Sequence, residues 1–189
     1  MTTASCGTTW EWLLAAWASL EAPEGSRVEI IEGELTVSPP LANRHNHAAQ
    51  VLHRLLVRNT PEEWGVYQTQ GITVPAIEGL FVPDLLVYPV DEVPARGYSA
   101  PAEHALLVVE ITSPGNPQHD RKTKVWGYAH GPVPLYLLID AFDPLGPAAT
   151  LHADPRGGAH QQVSRVPFGG KIVLPGPFDL EVDTGLFAD

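Results

Sequence analysis

Apolar positions recur at helical spacing in two stretches of the N-terminal third and in one later stretch, and elsewhere gather into short runs suited to strands. Trp10, Leu13, Leu14, Trp17 and Leu20 fall on one face of a helix that Thr8 or Thr9 caps, with Glu11 in the first turn; Pro23-Glu24-Gly25 ends it. Its polar face lacks Lys and Arg, so it is expected to pack on the domain or on a second subunit, not on a membrane. Residues 27–39 alternate around Glu32-Gly33 and predict a hairpin, with Glu29, Glu32 and Glu34 as a solvated face. From Asn43 the stripe Ala48, Val51, Leu52, Leu55, Leu56 predicts a second helix, with His45 and His47 in its first turn.

Residues 64–75 alternate as one strand, placing Val66, Gln68 and Gln70 on one face. Residues 80–89 give another, in which Pro83 marks a start or an edge and Asp84 follows it. The run from Ala105 reads as a strand buried on both faces that ends in Glu110, a carboxylate that is expensive to bury unless something pairs with it. Asn116 is the expected cap and Pro117 the first residue of a helix over 117–130, ended by Gly131-Pro132. Within it Asp120 and Lys124 stand one turn apart, and Trp126, Tyr128 and Ala129 form the apolar stripe. Pro134 to Asp140 is a further buried strand, so the order from Asn43 is helix, strand, strand, strand, helix, strand. Beyond Asp143, short strands around Gly-rich turns are expected to extend or cover the sheet, and His152 and His160 lack metal-ligand spacing.

These 189 residues suit one domain: a core at about 43–140, an N-terminal helix and hairpin at 8–39, and a C-terminal β extension at 148–185. Cys6, the single cysteine, excludes an internal disulfide framework, and no leader or run of ~20 apolar residues appears. A soluble cytoplasmic protein with no membrane span is the expectation. The net charge of −11 argues against a non-specific nucleic-acid coat, whose affinity comes from phosphate contacts. Yet Arg44, Arg54, Arg58, Arg96, Arg121, Lys122 and Lys124 gather in the middle of the chain, where the chemistry is sought.

Asp84 opens one strand, Glu110 closes a neighbouring one, and Thr112 shares the face of Glu110 by the period of two. Two carboxylates suit a hard cation such as Mg2+ or Mn2+, which takes oxygen ligands and keeps waters or phosphate oxygens in its other positions. An ion held there activates water and neutralises charge building on a phosphodiester. The bland reading of the same residues is a turn initiated by Asp84, an internal Glu110–Lys124 ion pair, and Asp120 placed where the helix dipole favours it.

Pro83-Asp84 followed by Glu110 in VVEITSP resembles the PD-(D/E)xK, restriction-endonuclease-like nucleases. With EIIEGELTVSP, RHNH, VPDLLVY, the D-x-x-x-K of Asp120 to Lys124 and GPVPLYLLID, nearly the whole chain resembles the Uma-two family of bacterial endonucleases. The resemblance implies an α/β fold of restriction-endonuclease-like architecture with a mixed sheet. It further implies a metal-dependent endonuclease that hydrolyses phosphodiester bonds of nucleic acid, DNA first, and that works as a homodimer. Where the broader superfamily has its motif lysine this chain has Thr112, and the resemblance implies that the lysine has moved to the following helix, at Lys124, with Lys122 the second choice. Asp84 and Glu110 are then the metal ligands and Lys124 the charge stabiliser, with His45, Gln70, Thr112, Asp120 and Asp140 in the second rank. The alternative is a catalytically inactive copy of the fold acting as a binding or regulatory module.

Overall fold

The computed structural model describes residues 9–115 and 117–188. Thr9 caps α1 (Trp10–Ser19), its hydroxyl accepting from the Trp12 N–H. Thr8, the other expected cap, and Asn116, the expected cap of the later helix, lie outside the described residues. The hairpin β1 (Arg27–Ile31) and β2 (Glu34–Ser38) turns through Glu32 and Gly33, with φ of 51° and 76°, a left-handed pair that suits the twist of two paired strands. α2 (Asn43–Asn59) follows, with His45, Ala48, Ala49, Leu52 and Leu56 buried. Burying Leu52 and Leu56 contributes about 1.5–3 kcal/mol each and fixes the helix whose first turn carries His45.

The two alternating stretches after α2 each divide between sheets. Residues 64–75 form β3 (Trp64–Tyr67) and β4 (Gly71–Val74), separated by a bend in which Thr69 takes a φ of 61°. Val66, Gln68 and Gln70 therefore do not share a strand face, because alternation reports a period and not a ladder partner. Residues 80–89 likewise form β5 (Gly79–Phe81) and β6 (Leu85–Pro89). Pro83, without an N–H, ends the first ladder, and the chain crosses to the second sheet at Asp84. A short β7 (Ser99–Pro101) precedes β8 (Leu107–Ile111). A wide turn of π type over His119–Thr123 leads into α3 (Lys124–His130), then β9 (Leu135–Asp140), β10 (Ala148–Arg156), β11 (Ala159–Pro167), β12 (Lys171–Leu174) and β13 (Leu180–Asp183).

The central sheet runs β11-β10-β9-β8-β6-β3, with β8 and β9 parallel and the other pairs antiparallel. Read along the chain, its members and helices from α2 to β9 are α2, β3, β6, β8, α3, β9, the order expected of a restriction-endonuclease-like core. One face carries Leu85, Val87, Leu107, Val109, Leu137 and Ile139 against α2 and the two-stranded β12-β13 sheet, which covers it. The other carries Leu86, Val108, Tyr136 and Leu138 against Tyr128 of α3 and against Ile31, Ile72 and Phe81 of the second sheet, β2-β1-β5-β4-β7. α1 packs Leu13, with Trp10, Leu14 and Trp17, on Ile30, Leu80 and Val82, so its apolar face lies on the domain itself and Trp12 points outward. No described helix is long and apolar enough to cross a membrane.

Candidate active site

β6 and β8 pair antiparallel with Leu85 opposite Val109 and Leu86 opposite Val108; one step further along this register, Asp84 stands opposite Glu110. Cross-strand partners put their side chains on one face, so the sheet itself brings the two carboxylates together. Asp84 Oδ2 accepts the Ile111 N–H at 2.7 Å and lies 2.9 Å from His45 Nε2, while Oδ1 accepts from Arg27 Nη2 at 2.5 Å. Glu110 Oε1 accepts from Lys124 Nζ at 2.8 Å and from the Tyr128 hydroxyl at 2.5 Å. Arg27 Nη1 lies 3.6 Å from Glu110 Oε2 and donates to the Val82 carbonyl at 2.7 Å, so one guanidinium bridges both carboxylates. Lys124 Nζ is also 3.2 Å from Glu29 and 3.6 Å from Asp120.

Local features deliver these groups. The wide turn before α3 is closed by the Lys124 N–H bonding the His119 carbonyl, a spacing of five residues, and such turns recur at functional sites. Gly127 lets α3 lie against β5, since a Cβ there would come within 2.5 Å of the Phe81 ring. Lys124 is thereby carried over the ends of β6 and β8 and is only 3% exposed, while Lys122, the second choice from sequence, is exposed.

Arg27 and Glu29 were not among the residues that the sequence suggested. Glu29, expected on a solvated face, is 4% exposed and accepts the Val82 N–H at 2.9 Å. The signal was present: Arg27, Glu29 and Ile31 alternate on one side of β1, and Ile31 belongs to the core beneath α3. Glu32 and Glu34 are exposed as expected.

Burial works against ionisation of Asp84, but the His45 hydrogen bond and the Arg27 charge outweigh it and hold the carboxyl below its usual value. Burial pushes Glu110 up to about 8; Lys124 only partly offsets this, and Asp84 adds to it. Asp120 is raised, again by burial first. Burial opposes the Lys124 charge, yet Glu110, Glu29 and Asp120 together raise its pKa, so the ammonium persists. Four carboxyl groups, Asp84, Glu110, Glu29 and Asp120, thus surround two cations, Arg27 and Lys124.

No three His, Cys, Asp or Glu side chains among the described residues are grouped as a ready ligand set. Nevertheless the cluster fits a divalent cation of the magnesium kind. Its donors are carboxylate oxygens, and a cavity of about 80 Å3 bounded by Asp84, Glu110, Asp120 and Lys124 has room for an ion and a few waters at ~30 Å3 each. Asp84 and Glu110 would hold the ion, and the Arg27 guanidinium now lies between them.

Of the remaining sequence candidates, His45 and Asp120 join the cluster. Thr112 and Asp140 instead meet each other at the end of β9: the Thr112 hydroxyl donates to Asp140 Oδ1 at 2.9 Å, and Arg121 donates to both Asp140 oxygens, at 2.6 and 3.1 Å. Gln70 donates to the neighbouring Gly71 carbonyl and lines neither cavity at Asp84. The Glu110–Lys124 pair of the bland reading does exist, but within a cluster that its two charges do not neutralise.

The family described as Uma2, Putative restriction endonuclease, matches residues 14–184. No curated protein matches the chain. Among solved structures, the fold is similar to a putative nuclease belonging to DUF820 from Anabaena variabilis ATCC 29413, at a TM-score of 0.71 and 16% identity, covering 93% of this chain and 96% of that one. That likeness is one of fold.

Proposed function

The chain belongs to the Uma2 family, and on that premise we propose that it is a divalent-metal-dependent endonuclease that hydrolyses phosphodiester bonds of DNA. The observation that carries this reading is the pairing of Asp84 and Glu110 across β6 and β8 with the Lys124 ammonium 2.8 Å from Glu110. When bound, magnesium or manganese supplies Lewis-acid polarisation of a phosphoryl oxygen and a bound water of lowered pKa. Asp84 and Glu110 would hold the ion. Lys124, kept charged by its carboxylates, faces the phosphate and stabilises charge on its oxygens. His45, hydrogen-bonded to Asp84, fixes the orientation of that carboxylate, and Tyr128 does so for Glu110. Because Glu110 is pushed up to about 8, it holds a proton in the neutral range, and an ion bound there would have to displace that proton.

The test is plasmid nicking in magnesium or manganese by the wild type and by Asp84→Asn, Glu110→Gln and Lys124→Met, with circular dichroism to confirm folding. Loss of nicking in all three supports the site; nicking that survives Asp84→Asn or Glu110→Gln sinks it. A second reading, a binding module without turnover, is favoured by one observation: Arg27 already pairs with both would-be ligands. An intact plasmid at millimolar metal, with no heat of metal binding, would establish that reading instead. A cytoplasmic homodimer belongs to the proposal as well, with Trp12 of α1 and Leu20 just past its end exposed; sedimentation equilibrium that finds only monomer removes that part.

A further inference from the structure

A second cavity opens beside the carboxylate cluster, and the hydrolytic chemistry does not use it. Its volume is about 550 Å3, within the ~300–1,000 Å3 usual for small-molecule sites, and it shares Arg27, His45 and Asp84 with the cluster. Its other walls come from separate parts of the chain: Trp17 of α1, Asn46 and Gln50 of α2, and Gln68 and Thr69 of the bend after β3. Charge stops at the shared end. Beyond Arg27, His45 and Asp84 the lining is uncharged: aromatic, aliphatic, hydroxyl and amide.

That composition has a chemical meaning. Asn46 and Gln50 are four residues apart on α2 and so share a side, and Gln68 reaches the cavity from a different element. Gln50 and Gln68 are exposed, which leaves their donors and acceptors open to a ligand. A side-chain amide offers one donor and one acceptor side by side, the pattern that pairs with the polar edge of a nucleobase. Trp17 is held in place by its indole N–H, which donates to the Val28 carbonyl at 2.7 Å, and fixed aromatic walls suit the flat face of a base. Thr69, with its φ of 61°, is a threonine in the left-handed region, and strain of this kind persists where a segment's shape is used. The global charge points the same way. At −11 the chain lacks the long-range phosphate attraction that gives nucleic-acid binders their non-specific affinity, so base contacts must supply affinity.

We infer that this cleft, between Trp17, Asn46, Gln50, Gln68 and Thr69, is a nucleoside subsite that holds one unpaired base while the adjoining phosphate lies at Arg27, beside the carboxylates. The position of the phosphate rests on the nuclease reading; the capture of the base does not. A base inside a duplex has its edge paired and its faces stacked, so the occupant comes either from a single strand or from a nucleotide extruded from a duplex.

The experiment titrates the full chain, in EDTA, into a fluorescein-labelled single-stranded decanucleotide and into the same sequence as a duplex, followed by anisotropy. An abasic nucleotide is then moved along the single strand, and Gln50→Ala and Gln68→Ala are compared with the wild type. The expected result is saturable binding at micromolar protein, about tenfold weaker at one abasic position. Each glutamine variant should bind the intact strand about five- to tenfold more weakly and the strand abasic at that position as the wild type does. Preference for the single strand identifies that source; equal affinity for the duplex, with a fluorescence rise from a 2-aminopurine placed in it, identifies extrusion. No saturable binding, a flat abasic scan, or glutamine variants that bind as the wild type does each overturn the subsite. Nicking in magnesium with a flat scan leaves the nuclease reading standing without it, whereas base-dependent binding without nicking does the reverse.

Discussion

Two carboxylate clusters share the α3 face of the central sheet, one strand apart. At the end of β9, Asp140 accepts from the Thr112 hydroxyl, from the Phe142 N–H at 2.9 Å and from Arg121 at both oxygens: one anion, one cation, and a donor for each lone pair that matters. At the ends of β6 and β8, Asp84, Glu110, Glu29 and Asp120 face Arg27 and Lys124, four carboxyl groups to two cations. Both are built from the same residue types at strand ends, and the sequence ranks Asp84 and Glu110 above Asp140 by pattern and resemblance, not by charge balance. What separates them is balance. A closed pair holds the fold, whereas a buried excess of carboxyl groups is costly to ionise.

The comparison is most exposed to failure through activity. Asp84→Asn, Glu110→Gln and Lys124→Met are predicted to lower plasmid nicking by about 100- to 1,000-fold, as the removal of one charge-stabilising group does elsewhere. Asp140→Asn is predicted to keep its rate per folded molecule; equal losses at Asp140 and Glu110 would erase the distinction between the clusters.

Stability should move in opposite directions. Asp140→Ala removes the acceptor of the Phe142 N–H, leaves Arg121 only the Phe142 carbonyl and Thr112 only the Ile139 carbonyl, and is predicted to cost about 3 kcal/mol in urea unfolding. Glu110→Gln, in EDTA at pH 8, is predicted to stabilise by about 1 kcal/mol, because it removes surplus charge. The sign follows from Glu110 being raised: its favourable, protonated contribution is complete below the ordinary value of 4.5 and is lost as the pH climbs through about 8. The advantage of the glutamine should therefore fade as the pH is lowered to 5. A variant equally stabilised at both pH values would show that surplus charge is not the cause.

Arg27 sharpens the contrast further. If its guanidinium holds the place of an ion, Arg27→Met should bind Mn2+ about tenfold more tightly by calorimetry, a change of about 1.4 kcal/mol. Weaker binding would make Arg27 a support for the metal ligands instead of their competitor. The smallest effect belongs to Lys122, which is exposed: Lys122→Ala should change urea stability by no more than about 0.5 kcal/mol, and a larger loss would reopen the choice between the two lysines.

The order of elements could be read from apolar periodicity because α2, β8 and β9 are long or continuous runs with clear stops. The carboxylates at Asp84 and Glu110 could be read because each sits at the end of such a run. Partner choice could not. Periodicity does not reveal that β3 and β4, or β5 and β6, join different sheets, since that depends on Thr69 adopting a left-handed backbone and on Pro83 ending a ladder. Glu29 was placed in solvent because a carboxylate on a hairpin usually is, and only the second sheet folding over α3 buries it. Likewise nothing local in the segment from Pro117 to Lys124 announces a wide turn, which is settled by packing at both ends.

That turn has a consequence for how the protein can change. Each helical residue advances side chains by about 100°, so the residue count between the end of β8 and Lys124 sets the direction in which the ammonium points. The extra residue taken up over His119–Thr123 is part of that count. Removing one residue there, Lys122 for instance, would restore ordinary winding and swing Lys124 away from Glu110, or else shift α3 off Phe81. Such a deletion is expected to abolish nicking with every residue of the carboxylate cluster still in place, and undiminished nicking would show that the segment tolerates slippage. The chemistry of the site is thus encoded partly in a length.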